Sequence, residues 1–181
     1  MSFGFPSRNL AIQKAIQTTS SNVLMFAAGS NRGKTSKPTF PANESSVICI
    51  WATDGDGNKS LTNAQTMSGS GKFATLGVAV KSAWPEQPQH PDVTEIRKSG
   101  TSFATPIAAG IAACVLEFAI QNGMDKNYYD ELKSHQGMRK VFQSMKTKSD
   151  GLHFIYPWEL FHEKVGKVSI RDTLVKIVSG T

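Results

Sequence analysis

The chain has 181 residues, of which 39% are apolar and 19% charged, so it is long enough for one globular domain with a sizeable core. The net charge of +6 is shared evenly between residues 1–121 and 122–181, without a basic stripe of interleaved aromatic residues, which argues against a nucleic-acid partner. No apolar run approaches the roughly 18 residues that a membrane span requires, so no membrane partner is expected.

The two cysteines, Cys49 and Cys114, each lie in an apolar stretch and are expected to be small buried side chains with free thiols. Free thiols favour an intracellular setting, and the first residues lack the pattern of a signal peptide. An intracellular location is therefore predicted. A secreted protein that had lost its amino-terminal part would show the same features, so that alternative stays open.

Strands and helices alternate in the first part of the chain. A strand that ends at residues 1–3 precedes a helix over residues 6–17, whose apolar side chains lie on one face. Residues 22–28 and 46–52 are apolar runs of strand length and predict strands buried on both faces. This alternation predicts an α/β fold with a parallel sheet flanked by helices.

The stretch from residue 54 to residue 98 predicts short strands and loops. The loop at residues 54–58 carries two carboxylates, but no glutamate follows at the position that a calcium loop needs, so a plain turn is expected. Residues 72–76 and 77–80 predict short strands, and the three prolines within residues 85–98 predict an exposed loop.

A helix with many small residues begins near Ser102 and runs to about residue 121. Either Thr101 or Ser102 caps this helix, or Ser102 is a nucleophile at the positive end of the helix dipole. Asn31 lies just past the end of the strand at residues 22–28, so it can meet Ser102 at the same edge of the sheet. The alternative is that Asn31 is a left-handed turn residue.

Residues 122–181 predict a mainly helical tail. The predicted elements are helices at 128–133, 138–145 and 170–178, an extended piece at 152–156 and a helical turn from Pro157.

The segment Gly-Thr-Ser-Phe-Ala-Thr-Pro, residues 100–106, resembles the one that carries the nucleophilic serine of the subtilisin-like serine proteases, or subtilases. Ile107 stands where that family usually has a histidine, which is not the catalytic base. The resemblance covers residues 1–121 and implies that Ser102 is the nucleophile. Leu76 replaces a proline that is usual in the family.

The resemblance also assigns roles before Ser102. Residues 26–31 are similar to the family segment that ends in the oxyanion-hole asparagine, which implies that role for Asn31. Phe40-Pro41 falls where the family often has a cis proline. The resemblance implies that an extended peptide or protein substrate binds along two short segments, consisting of Ser2, Phe3 and Gly4, and of Ala27, Ala28 and Gly29. It implies no cofactor and no metal.

The aspartate and the histidine of the family's catalytic triad precede the serine, on segments that come before the substrate strand. His90 is the one histidine ahead of Ser102, and it lies in the proline-rich loop, while Asp54 and Asp56 follow the oxyanion segment. We therefore expect that residues 1–121 are the carboxy-terminal portion of a subtilase catalytic domain. Residues 122–181 are expected to be a helical extension packed on it, similar to extensions of some intracellular fungal subtilases.

Three functions follow from these patterns. The first is a serine-type endopeptidase whose Asp and His come from a missing amino-terminal half, so that this chain alone is inactive. The second is a non-catalytic subtilase remnant, or pseudoprotease, that binds peptides. The third is a generic α/β binding protein with a capped helix.

Overall fold

The computed structural model describes residues 1–33, 37–63, 72–85, 93–149, 151–162 and 164–180. Five α-helices, seven strands and one 3₁₀ turn lie within this part of the chain. In chain order they are α1 (Leu10–Thr19), β1 (Phe26–Ala28), β2 (Ile48–Thr53), β3 (Phe73–Leu76), β4 (Val80–Ala83), β5 (Glu95–Lys98), α2 (Thr101–Gln121), α3 (Lys126–Leu132), α4 (His135–Ser144), β6 (Lys146–Ser149), β7 (Leu152–Ile155), the 3₁₀ turn (Pro157–Glu159) and α5 (Lys167–Ser179).

The main sheet has the strand order β1-β2-β3-β7-β6. Its first four strands run parallel, with Phe26 opposite Ile48 and Ile50 opposite Phe73, while β6 is antiparallel to β7. The inner strands are covered on both faces, which is why β2 consists almost entirely of apolar side chains. The predicted parallel sheet flanked by helices is confirmed.

The predicted strand at residues 1–3 is not formed, and only Met1 is bonded to β1. The Met1 amino group donates to the Phe26 carbonyl oxygen at 2.6 Å, and the Ala28 N–H donates to the Met1 carbonyl oxygen at 3.0 Å. These are the two hydrogen bonds of a parallel ladder. From Met1 the chain leaves the edge of β1: Ser2 is bonded to Ser102 at the start of α2, and Phe5 pairs with Phe40.

Helix α2 crosses one face of the sheet and supplies much of the core. Its buried residues are small, which brings the helix axis close to β1, β2 and β3. They are Ala104, Ala108, Ala112 and Ala119, and the larger Val115. By length and composition α2 is also apolar enough to cross a membrane, contrary to the expectation from the sequence, although a third of its apolar window is buried within the fold.

The tail is helical, as predicted, and it also contributes two strands. Strand β7 confirms the extended piece predicted at residues 152–156, and it pairs with β3 in the middle of the sheet. Strand β6 was not predicted. On α4, Phe142 packs edge-on against Phe73, with ring centroids 5.6 Å apart. The division into residues 1–121 and 122–181 stays a prediction.

The sequence-based elements differ from the structure in four further places. The strand predicted at residues 77–80 is displaced to β4, and the loop predicted at 85–98 ends in β5, which pairs with β4 in an antiparallel hairpin. Residues 86–92, including His90, lie outside the described residues. Both cysteines are free, but Cys49 is only partly buried and Cys114 is exposed, because α2 turns its Cys114 face away from the sheet. In one place the structure agrees with the resemblance: the peptide bond between Phe40 and Pro41 is cis.

Candidate active site

Two glycines bring the chain close to itself in front of α2. The Gly100 N–H donates to the Gly77 carbonyl oxygen at 2.7 Å. A Cβ on Gly77 would lie 2.6 Å from the Ala52 Cβ, and a Cβ on Gly100 would lie 2.8 Å from the Asn31 amide nitrogen. Gly100 also has a φ of +150°, which side-chain-bearing residues rarely adopt. The turn that leads into the helix thus requires glycine at both positions.

Ser102 is the second residue of α2 and is half-buried. Its hydroxyl donates to the Ser2 carbonyl oxygen at 3.2 Å, and the Ser2 hydroxyl donates to the Ser102 carbonyl oxygen at 3.0 Å. This reciprocal pair joins residues that are 100 positions apart in the chain. The first turn of the helix is therefore held against the segment at residues 2–4.

Asn31 caps α2 from outside the helix. Its side-chain oxygen accepts from the Thr101 N–H at 2.8 Å and from the Thr101 hydroxyl at 3.1 Å. Because an N–H group can only donate, the accepting atom must be the amide oxygen, which fixes the orientation of the amide. The N-cap position itself is Gly100, which has no side chain. The alternatives that Thr101 or Ser102 is the N-cap, or that Asn31 is a left-handed turn residue, are wrong.

Within the described part of the chain, two N–H donors near this end of the helix have no hydrogen-bond acceptor. Among the first amide groups of α2, Thr101 donates to Asn31, while Phe103 and Ala104 donate to the Gly100 carbonyl oxygen. Within the described residues, the Ser102 N–H has no acceptor, and neither has the Asn31 side-chain nitrogen. Both groups are consequently available to a negatively charged oxygen, which the positive end of the helix dipole also favours.

These groups surround a pocket of about 180 Å³. The predicted site residues that line it are Ser2, Phe3, Gly4, Ala28, Asn31 and Ser102, together with Ser30, Arg32, Thr39 and Thr101. Ala27 and Gly29 do not line the pocket. Ala27 is fully buried, and the Gly29 carbonyl oxygen accepts from the Thr39 N–H at 3.1 Å. The predicted substrate-binding roles stay predictions.

No histidine or acidic residue lines the pocket within the described part of the chain. His135 lies at the start of α4, where burial and the nearby Arg139 lower the pKa of its imidazole, against a weaker opposing hydrogen bond to the Val47 backbone. The Asp54 carboxylate accepts from the Asn58 side chain and from the Asn58 and Asp56 backbone, and these bonds lower its pKa. The Asp54 carboxylate thus stabilises the turn at residues 54–58, which is the plain turn predicted from the sequence.

Two features of the site were missed by reasoning from sequence. The hydroxyl and the backbone N–H of Thr101 both donate to the Asn31 amide oxygen. The Ser2 hydroxyl donates to the carbonyl oxygen of Ser102. The polar pair Thr101-Ser102 directly after a glycine was a usable signal for the first feature. The contact with Ser2 depends on tertiary structure alone.

The subtilase family profile matches residues 1–156. Subtilisin DY from Bacillus licheniformis is 31% identical over 120 residues, which are 64% of this chain and 41% of that protein. Thermitase from Thermoactinomyces vulgaris is 31% identical over 139 residues, covering 70% of this chain and 46% of that protein. The solved structure of the prenylagaramide maturation protease PagA shares the fold with a TM-score of 0.68, at 24% identity, over 96% of this chain and 60% of that one.

The chain belongs to the subtilase family, because the family profile extends from Met1 through β7. The resemblance seen in the sequence is confirmed and reaches further than residue 121. The chain spans less than half the length of Subtilisin DY and of Thermitase.

Proposed function

We propose that the chain carries the nucleophile and the oxyanion hole of a subtilisin-like serine endopeptidase. One observation carries the proposal: the Ser102 hydroxyl shares a pocket with two N–H donors, the Ser102 backbone and the Asn31 side chain, that have no acceptor among the described residues. Such donors stabilise the oxygen of a tetrahedral intermediate because negative charge develops there during acyl transfer.

In the proposed reaction the Ser102 oxygen attacks the carbonyl carbon of a peptide bond while a general base accepts the hydroxyl proton. The carbonyl electron pair moves onto its oxygen, which accepts hydrogen bonds from the Ser102 N–H and the Asn31 side-chain nitrogen. The intermediate then expels the amine, which takes up a proton, and water hydrolyses the acyl-serine. The segment of Ser2, Phe3 and Gly4 lies beside the serine and is suited to hold an extended substrate.

A serine hydroxyl without an adjacent base is a weak nucleophile near neutral pH. In the structure the Ser102 hydroxyl donates to the carbonyl oxygen of Ser2, which is not basic enough to take its proton. We therefore include in the proposal an amino-terminal subtilase half that brings the histidine and the aspartate.

The outward face of α2 is suited to receive that half. A groove of about 430 Å³ lies between Met1 and residues 24–26 on one side and Thr105, Pro106 and Ala109 on the other. Gly110 and Ala113 continue the exposed face along the helix. This groove shares Ser2 with the catalytic pocket, so a segment that fills it would lie next to Ser102.

The alternative is a pseudoprotease that binds peptides without cleaving them. The absence of a histidine or carboxylate from the described lining of the pocket favours it. The two functions differ in one respect only, because binding of an extended peptide is common to both and turnover is not.

The test uses the 181-residue chain alone and a fusion in which an amino-terminal subtilase half with its Asp and His segments is joined ahead of Met1. We expect no casein hydrolysis by the chain alone and hydrolysis by the fusion, abolished by Ser102→Ala. Gly110→Glu should prevent activation of the fusion, because it places a charge on the outward face of α2. Val168→Glu, at an exposed site on α5, should leave activation unchanged. A fusion that binds peptide but stays inactive would support the pseudoprotease.

A further inference from the structure

Ala79 has a left-handed backbone, with a φ of +54°, and it is the one non-glycine residue of the described chain with a positive φ. This conformation is disfavoured for a residue with a Cβ, so surrounding contacts must hold it. Ala79 lies in the short link between β3 and β4, two residues after Gly77. The link is therefore strained directly beside the turn that leads to Ser102.

Both backbone polar groups of Ala79 are satisfied by side chains from the segment ahead of α2. The Ala79 N–H donates to the Ser99 hydroxyl oxygen at 2.9 Å, and Arg97 Nη1 donates to the Ala79 carbonyl oxygen at 2.9 Å. Beyond the β4–β5 ladder, which ends at Val80 and Lys98, the bond from the Gly100 N–H to the Gly77 carbonyl oxygen at 2.7 Å brings the hydrogen bonds between the two segments to three. We name this set of three hydrogen bonds the bracket.

The bracket ends at the turn that leads into α2. Gly100 is its last member, and the next N–H, that of Thr101, donates to Asn31. A displacement of Gly100 would move the start of α2, and with it both donors of the oxyanion hole. The amide of Asn31 lies so close to Gly100 that even a Cβ at that position would collide with it.

The other charged residues of the hairpin have different partners. Lys81 forms an ion pair with Glu95, and the Lys98 ammonium lies 4.3 Å from the centre of the Trp84 ring. Lys98 is next to Arg97 in sequence but points to the opposite face of β5. It is therefore a matched control, because its loss removes a neighbouring positive charge without touching the bracket.

We propose that Arg97 and Ser99 are positioning residues for the nucleophile. They hold Ala79 in its left-handed conformation and so fix Gly100 and the beginning of α2. The catalytic consequence rests on the function proposed above, whereas the structural coupling does not.

The coupling is tested by thermal unfolding of the 181-residue chain, or of the fusion if the chain alone does not stay monomeric. Arg97→Ala should lower Tm by about 2–4 °C, the shift expected from one lost hydrogen bond in a domain of this size. The bond that Arg97→Ala removes is the same in an Ala79→Gly background, so Tm should fall there by about as much. Ala79→Gly alone should not lower Tm, because glycine adopts the left-handed conformation without extra cost. An unchanged Tm for Arg97→Ala, or a lower Tm for Ala79→Gly alone, would overturn the structural coupling. The shift of Lys98→Ala should be the same in both backgrounds.

The positioning role is tested by two further readouts. In ¹H–¹⁵N spectra, Arg97→Ala should displace the resonances of Thr101 and of the Asn31 side-chain amide, whereas Lys98→Ala should leave them in place. In the fusion, Arg97→Ala should lower kcat by about tenfold with little change in KM, because misplacement acts on the reacting groups, and Ala79→Gly should restore part of the loss. Unchanged resonances, or a loss confined to KM, would overturn the positioning role. If the fusion has no turnover, the proposed function fails, while Tm and the spectra still decide the bracket.

Discussion

Asn31 caps α2 and is also the proposed donor to the oxyanion, and two substitutions distinguish these two roles. Its amide oxygen accepts two hydrogen bonds from Thr101, and its nitrogen is the donor in the proposed oxyanion hole. Asn31→Leu removes both functions. Asn31→Asp keeps the acceptor, and its negative charge suits the start of a helix, but it removes the donor. Stability and turnover should therefore respond differently to the two changes.

The expected loss of stability follows from the burial of Thr101. Only 1% of Thr101 is exposed, so its N–H and its hydroxyl have little access to water when Asn31 is removed. Two lost hydrogen bonds at about 1 kcal/mol each give a destabilisation of about 2 kcal/mol for Asn31→Leu. For a domain of this size that corresponds to a decrease in Tm of about 4–8 °C. Asn31→Asp should stay within about 2 °C of the parent, a change of about half a kcal/mol.

Turnover of the fusion should fall about 10²–10³-fold in kcat for Asn31→Leu, with little change in KM, because the donor acts on the transition state. Asn31→Asp should lose at least as much, since a carboxylate repels the developing oxyanion. Thermal unfolding and peptide hydrolysis measure the two quantities. The cap is refuted if both variants lose the same stability, and the donor role is refuted if Asn31→Asp retains full turnover.

Three other predictions concern the turn before α2, the two cysteines and His135. Gly100→Ala should lower both Tm and turnover, because a Cβ there would lie 2.8 Å from the Asn31 nitrogen; unchanged Tm and turnover would contradict the close approach. Iodoacetamide at pH 8.5 should alkylate the exposed Cys114 and spare Cys49, since burial raises the pKa of the Cys49 thiol to about 12; peptide mass mapping that found both modified would oppose this. The lowered pKa of His135 makes folding favour its neutral form, so its contribution to stability is complete above about pH 6.5 and is lost as pH falls from there through the folded pKa. His135→Gln should flatten this part of a curve of unfolding free energy against pH, and an unchanged slope would count against it.

Much of the parallel sheet could be predicted because its strands are buried on both faces. The runs at residues 46–52 and 72–76 are apolar for that reason, and they appear in the structure as β2 and β3. The hairpin of β4 and β5 was missed because its outward positions are polar or charged and its pairing depends on the antiparallel partner. Strand β6 is short and forms only beside β7.

The pocket was predictable only where a motif carries it. Ser102 and Asn31 each follow a recognisable local pattern, and the carboxyl-end rule for parallel sheets brings them together. The direction of the Asn31 amide was not predictable, because it depends on the position of the Thr101 N–H. The same holds for the pairing of Ser2 with Ser102, which requires the segment after Met1 to lie next to the first turn of α2.

The central claim is that Ser102 is a nucleophile in a prepared oxyanion hole that needs a base from an amino-terminal half. A fluorophosphonate probe followed by peptide mass spectrometry tests it most directly. We predict an adduct on Ser102 in the fusion, none in its Ser102→Ala variant, and slow or no labelling of the 181-residue chain alone. An adduct that persists in the Ser102→Ala fusion would contradict the assignment of the nucleophile. Labelling of the chain alone at the rate of the fusion would contradict the need for an external base.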